Sequence, residues 1–449
     1  MSVIQGVLSN GAAIVVQKIV RVLDQLLLVP FFLTAWGAAY YGEWLTLTII
    51  PSVLAFSDLG FGSAVSNSFV LAYASGDKQK AANLNNCGFW VISFSVLLGA
   101  LLAIIVLLAG DRFHLFEKSL IPANEAMIAV TLMIVARLIA FYSQLIEGYF
   151  RSARKAALGS LIGSGQNIAN LAAGFSILYA GCGIVGFAVS QFIVSILFTI
   201  VYFFVGKRLI DLKGYKGSFL RSDIKMITTK GMGYLMTPIW QSIYFQGGTF
   251  MVRLTLGPES VAIFNTVRTV CRSVNQIFSI INGSIFPDLQ YEYAKGNMPT
   301  VHRLFRIAVV FSMCIGIVGT LFLVLFGLDL YEWWTRSVLS VPMNVWWTFM
   351  IGVLFNAIWW TSAVTYRMTN QPYHFAFIST LMACVSVIMS YFLSLRYGLW
   401  GAALGYVVYD CIMICYVLPD SCRLLGMNVK DLHLFIKDDL KFLKEKIRK

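Results

Sequence analysis

Several charged side chains lie inside long apolar segments, and these residues are the best placed for chemistry. If those segments cross a membrane, each buried charge costs about 2.5–3.5 kcal/mol on insertion scales, so a charge that persists usually faces protein or water. Cations outnumber anions among them, which predicts a positively charged interior. The cations near mid-depth are Lys18, Arg21, Arg137, Arg268 and Arg272, and the anions are Asp24, Asp58 and Asp410.

The spacing of Arg268 and Arg272 is the most informative. Four residues apart, they lie on one face of a helix. No acidic residue stands three or four positions from Arg268, so the local sequence offers the pair no partner. Because a guanidinium is a planar fork that matches phosphate, the pair predicts an anion-binding site. A structural role in the protein interior is the alternative.

A second group of charges lies inside the first apolar segment, at 11–34. Lys18, Arg21 and Asp24 are three residues apart and share a broad helix face. Arg21 and Lys18 are further candidates for binding phosphate. The alternatives are a local ion pair between Arg21 and Asp24, and a Lys18 side chain that extends to the lipid headgroups.

Other charged residues have two interpretations each. Arg137 is either a cavity cation or the partner of Asp58 on a neighbouring helix. The three mid-depth aspartates are candidates for coupling to protons or sodium, or for ion pairs. Glu147, near the inner end of a span, is either a coupling carboxylate or an interfacial residue. Arg253 is predicted at the periplasmic edge, about one turn from the end of its span.

Glycine and proline mark the positions where helices are expected to bend. The segment Ser57–Ala64 contains two glycines and two serines, which weaken a helix and allow either a bend or close packing. The candidate hinge or packing residues are Gly60, Gly62, Pro30, Pro51 and Pro238.

The composition places these residues in an integral membrane protein. Of 449 residues, 58% are hydrophobic and 12% are charged, and the mean hydropathy is +0.76. A soluble domain has about 25% charged residues, so a disordered chain and a water-soluble enzyme are excluded. The apolar runs are longer than barrel strands and do not alternate, which indicates helices. Twelve spans are predicted, at 11–34, 42–73, 84–110, 124–150, 157–180, 184–206, 231–256, 258–292, 304–327, 343–368, 373–396 and 399–422.

Cysteine and histidine predict neither a metal site nor a cofactor. The eight cysteines are scattered, and none forms a CxxC pair. The four histidines lie in or near predicted loops. Buried cysteines that pack as small hydrophobic residues are the simplest interpretation.

Lysine and arginine are concentrated in alternate loops and in the C-terminal tail. The other set of loops carries only Arg112, Lys118, Arg336 and Arg396. Since basic residues stay on the cytoplasmic side, both termini are predicted in the cytoplasm. The net charge of +13 is then explained by topology and by anionic inner-leaflet lipids, and nucleic acid is not an expected partner.

An internal repeat appears when the sequence is shifted by 220 residues. Gly37 then meets Gly257, and Tyr73–Gly76 meets Tyr293–Gly296. A shift of 215 pairs Gly183 with Gly398. Two halves of equal orientation imply an axis along the membrane normal and a cavity between them. The predicted domains are a six-helix bundle at 1–206, a cytoplasmic linker at 207–230, a second six-helix bundle at 231–422 and a basic amphipathic tail at 423–449.

The order of four loose motifs resembles the Wzx-type O-antigen and polysaccharide flippases of the multidrug/oligosaccharidyl-lipid/polysaccharide (MOP) exporter superfamily. The motifs are Tyr41–Trp44, Ser57–Ala64, Tyr73–Asp77 and Glu147–Arg154, and paired Gly-x-x-Gly-x-Ala turns open the sixth and twelfth spans. The resemblance covers nearly the whole chain.

The resemblance implies an all-α protein of the bacterial inner membrane, with two six-helix bundles in a V around a central cationic cavity. It implies a non-enzymatic flippase that moves an undecaprenyl-pyrophosphate-linked oligosaccharide from the cytoplasmic to the periplasmic leaflet. Arg21, Arg268 and Arg272 stand where the cationic cavity is expected. The polysaccharide polymerase and the chain-length regulator of such a pathway are candidate partners.

Three other functions stay open. A purely structural membrane scaffold is disfavoured by the buried charges. An ion-coupled antiporter of drugs or other cations, from the same superfamily, would need an apolar or acidic cavity, which the five mid-depth cations disfavour. A membrane polymerase or ligase would need a large outer loop with catalytic residues, whereas the longest predicted outer loops, 111–123 and 328–342, are short.

Overall fold

The computed structural model describes residues 3–112, 119–294, 296–369 and 372–432. Within these ranges the side chains of some helical residues, those at 3–15 and Arg21 among them, lie outside the described part. The described residues form fourteen α-helices and no strand. The helices are α1 Val3–Leu47, α2 Ile49–Leu54, α3 Phe61–Ala74, α4 Lys78–Arg112, α5 Ala123–Ser152, α6 Ala156–Tyr179, α7 Ile184–Leu209, α8 Arg221–Ser242, α9 Gly248–Leu256, α10 Pro258–Ala294, α11 Met298–Trp334, α12 Met343–Ser362, α13 Val364–Met368 and α14 Pro372–Leu424.

Fourteen helices correspond to twelve spans because some spans are interrupted and some helices contain two spans. Helix α1 runs through Gly37 and α14 runs through Gly398, each at a non-helical backbone. Conversely, the second span consists of the end of α1, α2, a 3-10 turn and α3, and the seventh consists of α8, a π-helical turn at Ile243–Gly247 and α9. The all-helical fold predicted from sequence is confirmed.

Seven of the described helical segments are long and apolar enough to cross a membrane by length and composition. Helix α4 illustrates how they meet lipid. Its large apolar side chains Trp90, Phe94, Leu97, Leu101 and Ile105 are all exposed, and they recur at helical spacing along one face. A continuous exposed apolar stripe of this length is suited to acyl chains, and the protein is a multi-pass membrane protein.

The chain divides into two compact units, a first unit at Met1–Ser242 and a second unit at Ile243–Lys449. In the first unit α5 packs on α7 and α3, and α1 packs on α6. Helix α8 belongs to this unit because it packs against α3 and α4. In the second unit α12 packs on α11 and α14, and α9 packs on α14. The domain boundaries expected from the sequence repeat stay a prediction.

The turns paired by the 220-residue shift have the same backbone conformation. Gly37 has φ 74° and ψ 171°, and Gly257 has φ 85° and ψ 178°. Gly76 and Gly296 have φ 83° and 74°, and the amide of each donates to the carbonyl three residues earlier. Positive φ favours glycine, so these four glycines mark the same pair of turns in both halves.

The pair found at a shift of 215 behaves differently. Gly398 has φ 60°, whereas Gly183 has φ −75° and lies in the extended region. The sequence match at this point therefore does not reflect a shared backbone turn.

Candidate functional site

The π-helical turn Ile243–Gly247 in the second unit prepares the position of Arg268. A wider turn displaces backbone carbonyls from their usual helical partners. The Phe245 carbonyl accepts a hydrogen bond of 2.9 Å from Nη1 of Arg268. Nη2 donates to the Thr249 hydroxyl at 2.9 Å and to the side-chain oxygen of Asn265. Arg268 is buried, and because all three acceptors are neutral, these contacts fix the guanidinium without cancelling its charge.

Three aromatic rings lie close to Arg268, and one of them also contacts Arg272. The Phe245 ring centroid is 5.3 Å from Cζ of Arg268 and 4.7 Å from Cζ of Arg272. The rings of Phe264 and Tyr406 lie 5.5 and 5.9 Å from Cζ of Arg268. A ring face attracts a cation at these distances, so the aromatic side chains help to hold two guanidiniums on adjacent turns of α10.

Asp410 on α14 is buried nearby in the same unit. Its Oδ1 accepts hydrogen bonds from Nε1 of Trp359 at 2.8 Å and from Nδ2 of Asn356 at 3.2 Å. Its Oδ2 accepts one from the Tyr244 hydroxyl at 3.2 Å. Hard cations need oxygen ligands, whereas this carboxylate faces N–H and O–H donors. The arrangement is that of a satisfied structural carboxylate.

A small cavity joins these groups. It has a volume of about 40 Å³ and is lined by Arg268, Arg272, Asp410 and the residues around them. A water molecule occupies about 30 Å³ in the liquid, so the cavity holds about one. Gly352 forms part of the wall, where an added Cβ would lie 3.4 Å from Oδ2 of Asp410. Two guanidiniums face one carboxylate, which gives this cavity a net positive charge.

A different polar site occurs at the break in the second span, in the first unit. Asp58 ends the 3-10 turn and is buried, and Leu59 and Gly60 follow with φ 51° and 70°. Its Oδ1 accepts a hydrogen bond of 3.2 Å from the Gly62 amide, and its Oδ2 accepts one of 3.4 Å from Nε2 of Gln144. The carboxylate therefore caps the amide that the break leaves open and ties α3 to α5.

The alternative pairing of Asp58 with Arg137 is corrected by these contacts. Arg137 is exposed on α5, and Gln144, two turns further along, binds Asp58 instead. Helix α3 can approach α5 this closely because position 62 is glycine. A Cβ at Gly62 would lie 2.8 Å from Oε1 of Gln144. Arg137 stays a candidate cavity cation by prediction.

Of the remaining predicted charged residues, all but Arg253 lie in the first unit. Lys18 and Asp24 are half-buried on α1, and the Arg21 side chain lies outside the described residues. Glu147 is exposed near the end of α5. Arg253, in the second unit, is half-buried near the end of α9. Among the predicted cations whose side chains the structure describes, Arg268 and Arg272 share the cavity with Asp410.

The three prolines are in helices, but their surroundings differ. Pro30 is half-buried inside α1, and Pro51 is buried in α2. Pro238 is exposed on α8, five residues before the π-helical turn. Its missing amide and fixed φ weaken the helix at that point.

Several residues that build the site were not predicted. Gln144, Asn265 and Asn356 are uncharged amides inside apolar segments, which is a signal that a search for charges alone overlooks. Phe245 contributes a backbone carbonyl as well as a ring, and no sequence pattern identifies a π-helical turn. Across the residues that the structure describes, no group of His, Cys, Asp and Glu has the arrangement of a metal site.

Comparisons with known proteins identify the fold. No protein-family model matches the sequence, and no curated protein matches it. The structure is similar to the inward-facing conformation of a multidrug-resistance MATE family transporter of the MOP superfamily, with a TM-score of 0.74 and 15% identity over 91% of this chain and 94% of that chain. A MATE structure in the bent conformation matches with a TM-score of 0.64 and 16% identity, over 94% and 95% of the two chains.

A third similar structure is a MOP superfamily transporter from Pyrococcus furiosus, with a TM-score of 0.59 and 14% identity over 93% of this chain and 94% of that chain. Identities of this size relate folds and leave function to the site residues. On the strength of these three likenesses, the chain has the fold of the MATE transporters of the MOP superfamily.

Proposed function

We propose that the protein flips an anionic lipid, an undecaprenyl-pyrophosphate-linked oligosaccharide, across the bacterial inner membrane by alternating access. The proposal rests on one observation: Arg268 and Arg272 line a cavity in which two guanidiniums face a single carboxylate. The pyrophosphate supplies the missing negative charge. In this proposal the sugars occupy water and the prenyl tail remains in lipid.

The two arginines take different roles in this proposal. Arg268 is buried and held by three oxygen acceptors, so it sets the local potential and keeps the site in place. Arg272 is half-buried one turn further along α10 and is the group that contacts the phosphate. Since the cavity of about 40 Å³ has room for about one water molecule, cargo binding requires a conformation in which it widens.

The polarity of the site supports anionic cargo. The similar transporter from Pyrococcus furiosus is described as having a binding pocket of reverse polarity, which suggests a different function for it. A fold shared with multidrug transporters is therefore compatible with another kind of cargo. The protein acts on this account as a transporter and not as an enzyme.

Coupling to protons or sodium is assigned to none of the buried carboxylates. Asp410 and Asp58 accept hydrogen bonds from neutral donors, which is sufficient to explain their burial. Asp24 on α1 stays a candidate for coupling.

Export of cationic drugs is the second candidate function. It is favoured by the similarity to a multidrug-resistance MATE family transporter. A cationic drug would need a carboxylate with free lone pairs or an apolar cavity, and two adjacent arginines oppose it. The two functions therefore predict opposite effects of removing positive charge from α10.

The test is the Arg268→Gln, Arg272→Gln double variant in a strain of the source organism that lacks the chromosomal gene. The flippase function predicts loss of surface polysaccharide at matched expression, with no change in resistance to cationic drugs. The control is Arg221→Gln, Lys225→Gln, which removes two exposed cations with the same four-residue spacing on α8. Normal polysaccharide in the double variant, or a change in drug resistance alone, would reject the flippase proposal.

A further inference from the structure

The segment at 210–220, which connects α7 to α8, is bound along one face of α4, and we call it the strap. Nε2 of Gln79 donates a hydrogen bond of 2.8 Å to the Lys216 carbonyl, and Nδ2 of Asn86 donates one of 3.2 Å to the Gly217 carbonyl. The side-chain oxygen of Asn83 accepts from the Ser218 amide at 2.8 Å. Positions 79, 83 and 86 share one helix face, so a row of side-chain amides on α4 forms hydrogen bonds with the backbone of the strap.

Glycine is required where the strap lies closest to α4. A Cβ at Gly217 would lie 2.5 Å from the Ala82 carbonyl oxygen. An ion pair of 3.2 Å between Lys78 and Asp211 holds the start of the strap. The strap is therefore a docked part of the first unit and can form the wall of a site.

A cavity of about 480 Å³ lies between the strap and the ends of α4, α5 and α7. This volume is within the range of small-ligand sites, about 300–1,000 Å³. The groups that could recognise a ligand are the ammoniums of Lys207 and Lys213 and the amides of Asn85 and Asn86. The Tyr149 hydroxyl, also in the wall, bonds to the side-chain oxygen of Asn85, and that contact leaves the Asn85 nitrogen to donate elsewhere.

The charge of this cavity is positive. Within the described part of the chain, neither Lys207 nor Lys213 forms a salt bridge. The neighbouring carboxylate, Asp211, is paired with Lys78. Two lysines and two side-chain amides line the cavity, and no carboxylate of the described residues lines it. Ammonium and amide donors of this kind are the chemistry of a phosphate site.

The other wall is apolar and adjoins lipid. Phe89 and Phe203 line the cavity with ring centroids 6.5 Å apart, and Nζ of Lys207 lies 5.6 Å from the Phe203 ring. Trp90 and Phe219 beside them are exposed, as aromatic side chains at a membrane interface are. A ligand that combines a phosphate with hydrocarbon fits both walls.

We propose that this cavity binds the headgroup phosphate of an anionic phospholipid of the inner leaflet, with its acyl chains passing Phe89 and Phe203 into the bilayer. The site lies within the first unit and is independent of the cargo proposed for the second unit. Its position, at the predicted cytoplasmic end of the first unit, matches the leaflet in which anionic lipids meet basic residues.

The test is native mass spectrometry of the full-length protein with phosphatidylglycerol, with phosphatidylcholine of the same acyl chains, or with inorganic phosphate. Phosphatidylglycerol is expected to bind most tightly. Lys207→Gln, Lys213→Gln is expected to weaken it roughly 30-fold, from the contribution of two basic residues near an anionic lipid. Arg208→Gln, Lys216→Gln is the matched control, because these exposed cations flank the cavity without lining it.

Three results would overturn the proposal. The first is equal binding of phosphatidylglycerol and phosphatidylcholine by the wild type. The second is an equal loss of phosphatidylglycerol binding in the control variant. The third is displacement of phosphatidylglycerol by inorganic phosphate in a wild type that binds both lipids equally. Gly217→Ala gives a second reading without changing charge. Because the added methyl group displaces the strap, phosphatidylglycerol binding should weaken. Faster hydrogen exchange at 210–220 with unchanged phosphatidylglycerol binding would show that the strap is not part of the site and would contradict the proposal.

Discussion

Each unit contains an irregular helical turn, and in each a buried charged side chain hydrogen-bonds to the backbone at that turn. The charge is negative in the first unit and positive in the second. In the first unit the second span breaks at Ala55–Asp58, and Asp58 accepts a hydrogen bond from a backbone amide. The second unit begins with the π-helical turn Ile243–Gly247, which precedes α9, and Arg268 donates to the Phe245 carbonyl of this turn. An acid suits an open N–H and a base suits an open C=O.

The two sites differ in the balance of charge around the buried group. At Asp58 a negative group meets donors from Gly62 and Gln144. At Arg268 a positive group meets neutral oxygens, and Arg272 follows one turn later. The first unit thus uses its charge within the fold, whereas the second unit concentrates two cations beside one cavity.

The largest difference is expected when each charge is replaced by leucine. Arg268→Leu removes three hydrogen bonds. It leaves the Thr249 hydroxyl as donor to both the Phe245 carbonyl and the Asn265 side-chain oxygen. It should lower the free energy of unfolding by about 2–4 kcal/mol, since hydrogen bonds to a charged group contribute about 1.5–3 kcal/mol and an unsatisfied buried acceptor costs about 1–3 kcal/mol. Asp58→Leu leaves two donors and should cost less, about 1–3 kcal/mol. Denaturant unfolding in detergent measures both. A larger loss at position 58 would reverse the comparison.

Crowding should also distinguish the units. A Cβ at Gly62 would lie 2.8 Å from Oε1 of Gln144, whereas one at Gly352 would lie 3.1 Å from its nearest neighbour, on Val407. Gly62→Ala is expected to destabilise by about 1–2 kcal/mol through overpacking. At Gly352 the helix propensity of alanine, about 1 kcal/mol, offsets a milder contact. Equal thermal shifts for the two variants would show that the packing difference is unimportant.

Replacing Asp410 or Asp58 by asparagine tests whether these carboxylates are structural. Each substitution should lower the free energy of unfolding by about 1 kcal/mol or less. In Asp410→Asn the retained oxygen still accepts from Trp359 and Asn356, and the new amide can donate to the Tyr244 hydroxyl. In Asp58→Asn the oxygen still accepts from Gly62. Both variants should therefore transport. Loss of transport in a stably folded Asp410→Asn variant would instead assign a proton or ion to that carboxylate.

The smallest effect is expected at the exposed ion pair of Lys78 and Asp211. The hydrogen bond from Lys78, with that from the Lys213 amide, holds the pKa of Asp211 below its ordinary value. A lowered pKa stabilises docking of the strap above the ordinary pKa, and this contribution is lost as the pH falls through the lowered value. Hydrogen-exchange protection at 210–220 should therefore stay constant between about pH 6 and 9. Asp211→Asn should change it little, because exposed pairs contribute little; a large loss would show that this pair controls the strap.

The sequence predicts the fold well because apolar length and glycine turns are local signals. The paired turns at Gly37 and Gly257 are recognisable from residue type, since positive φ favours glycine. The pair Arg268 and Arg272 is recognisable because charge in an apolar span is rare.

The partners of those charges could not be predicted in the same way. Asp58 binds an amide side chain 86 positions away, and Arg268 binds a carbonyl that only an irregular helical turn exposes. Both contacts depend on tertiary packing, which helical periodicity does not encode. The sequence signal for these contacts is the carboxamide side chains inside spans, because Gln144 and Asn265 are uncharged partners of buried charges.

The most direct test of the central claim is transport by the purified protein in liposomes of a fluorescent undecaprenyl-pyrophosphate oligosaccharide, comparing the wild type with Arg272→Gln. The account predicts transport by the wild type and a loss of about 10- to 100-fold in Arg272→Gln, the scale of one hydrogen-bonded charge contact. Arg272→Lys should recover part of the activity, since it restores the charge without the planar fork. Equal rates for wild type and Arg272→Gln would contradict a phosphate site on α10.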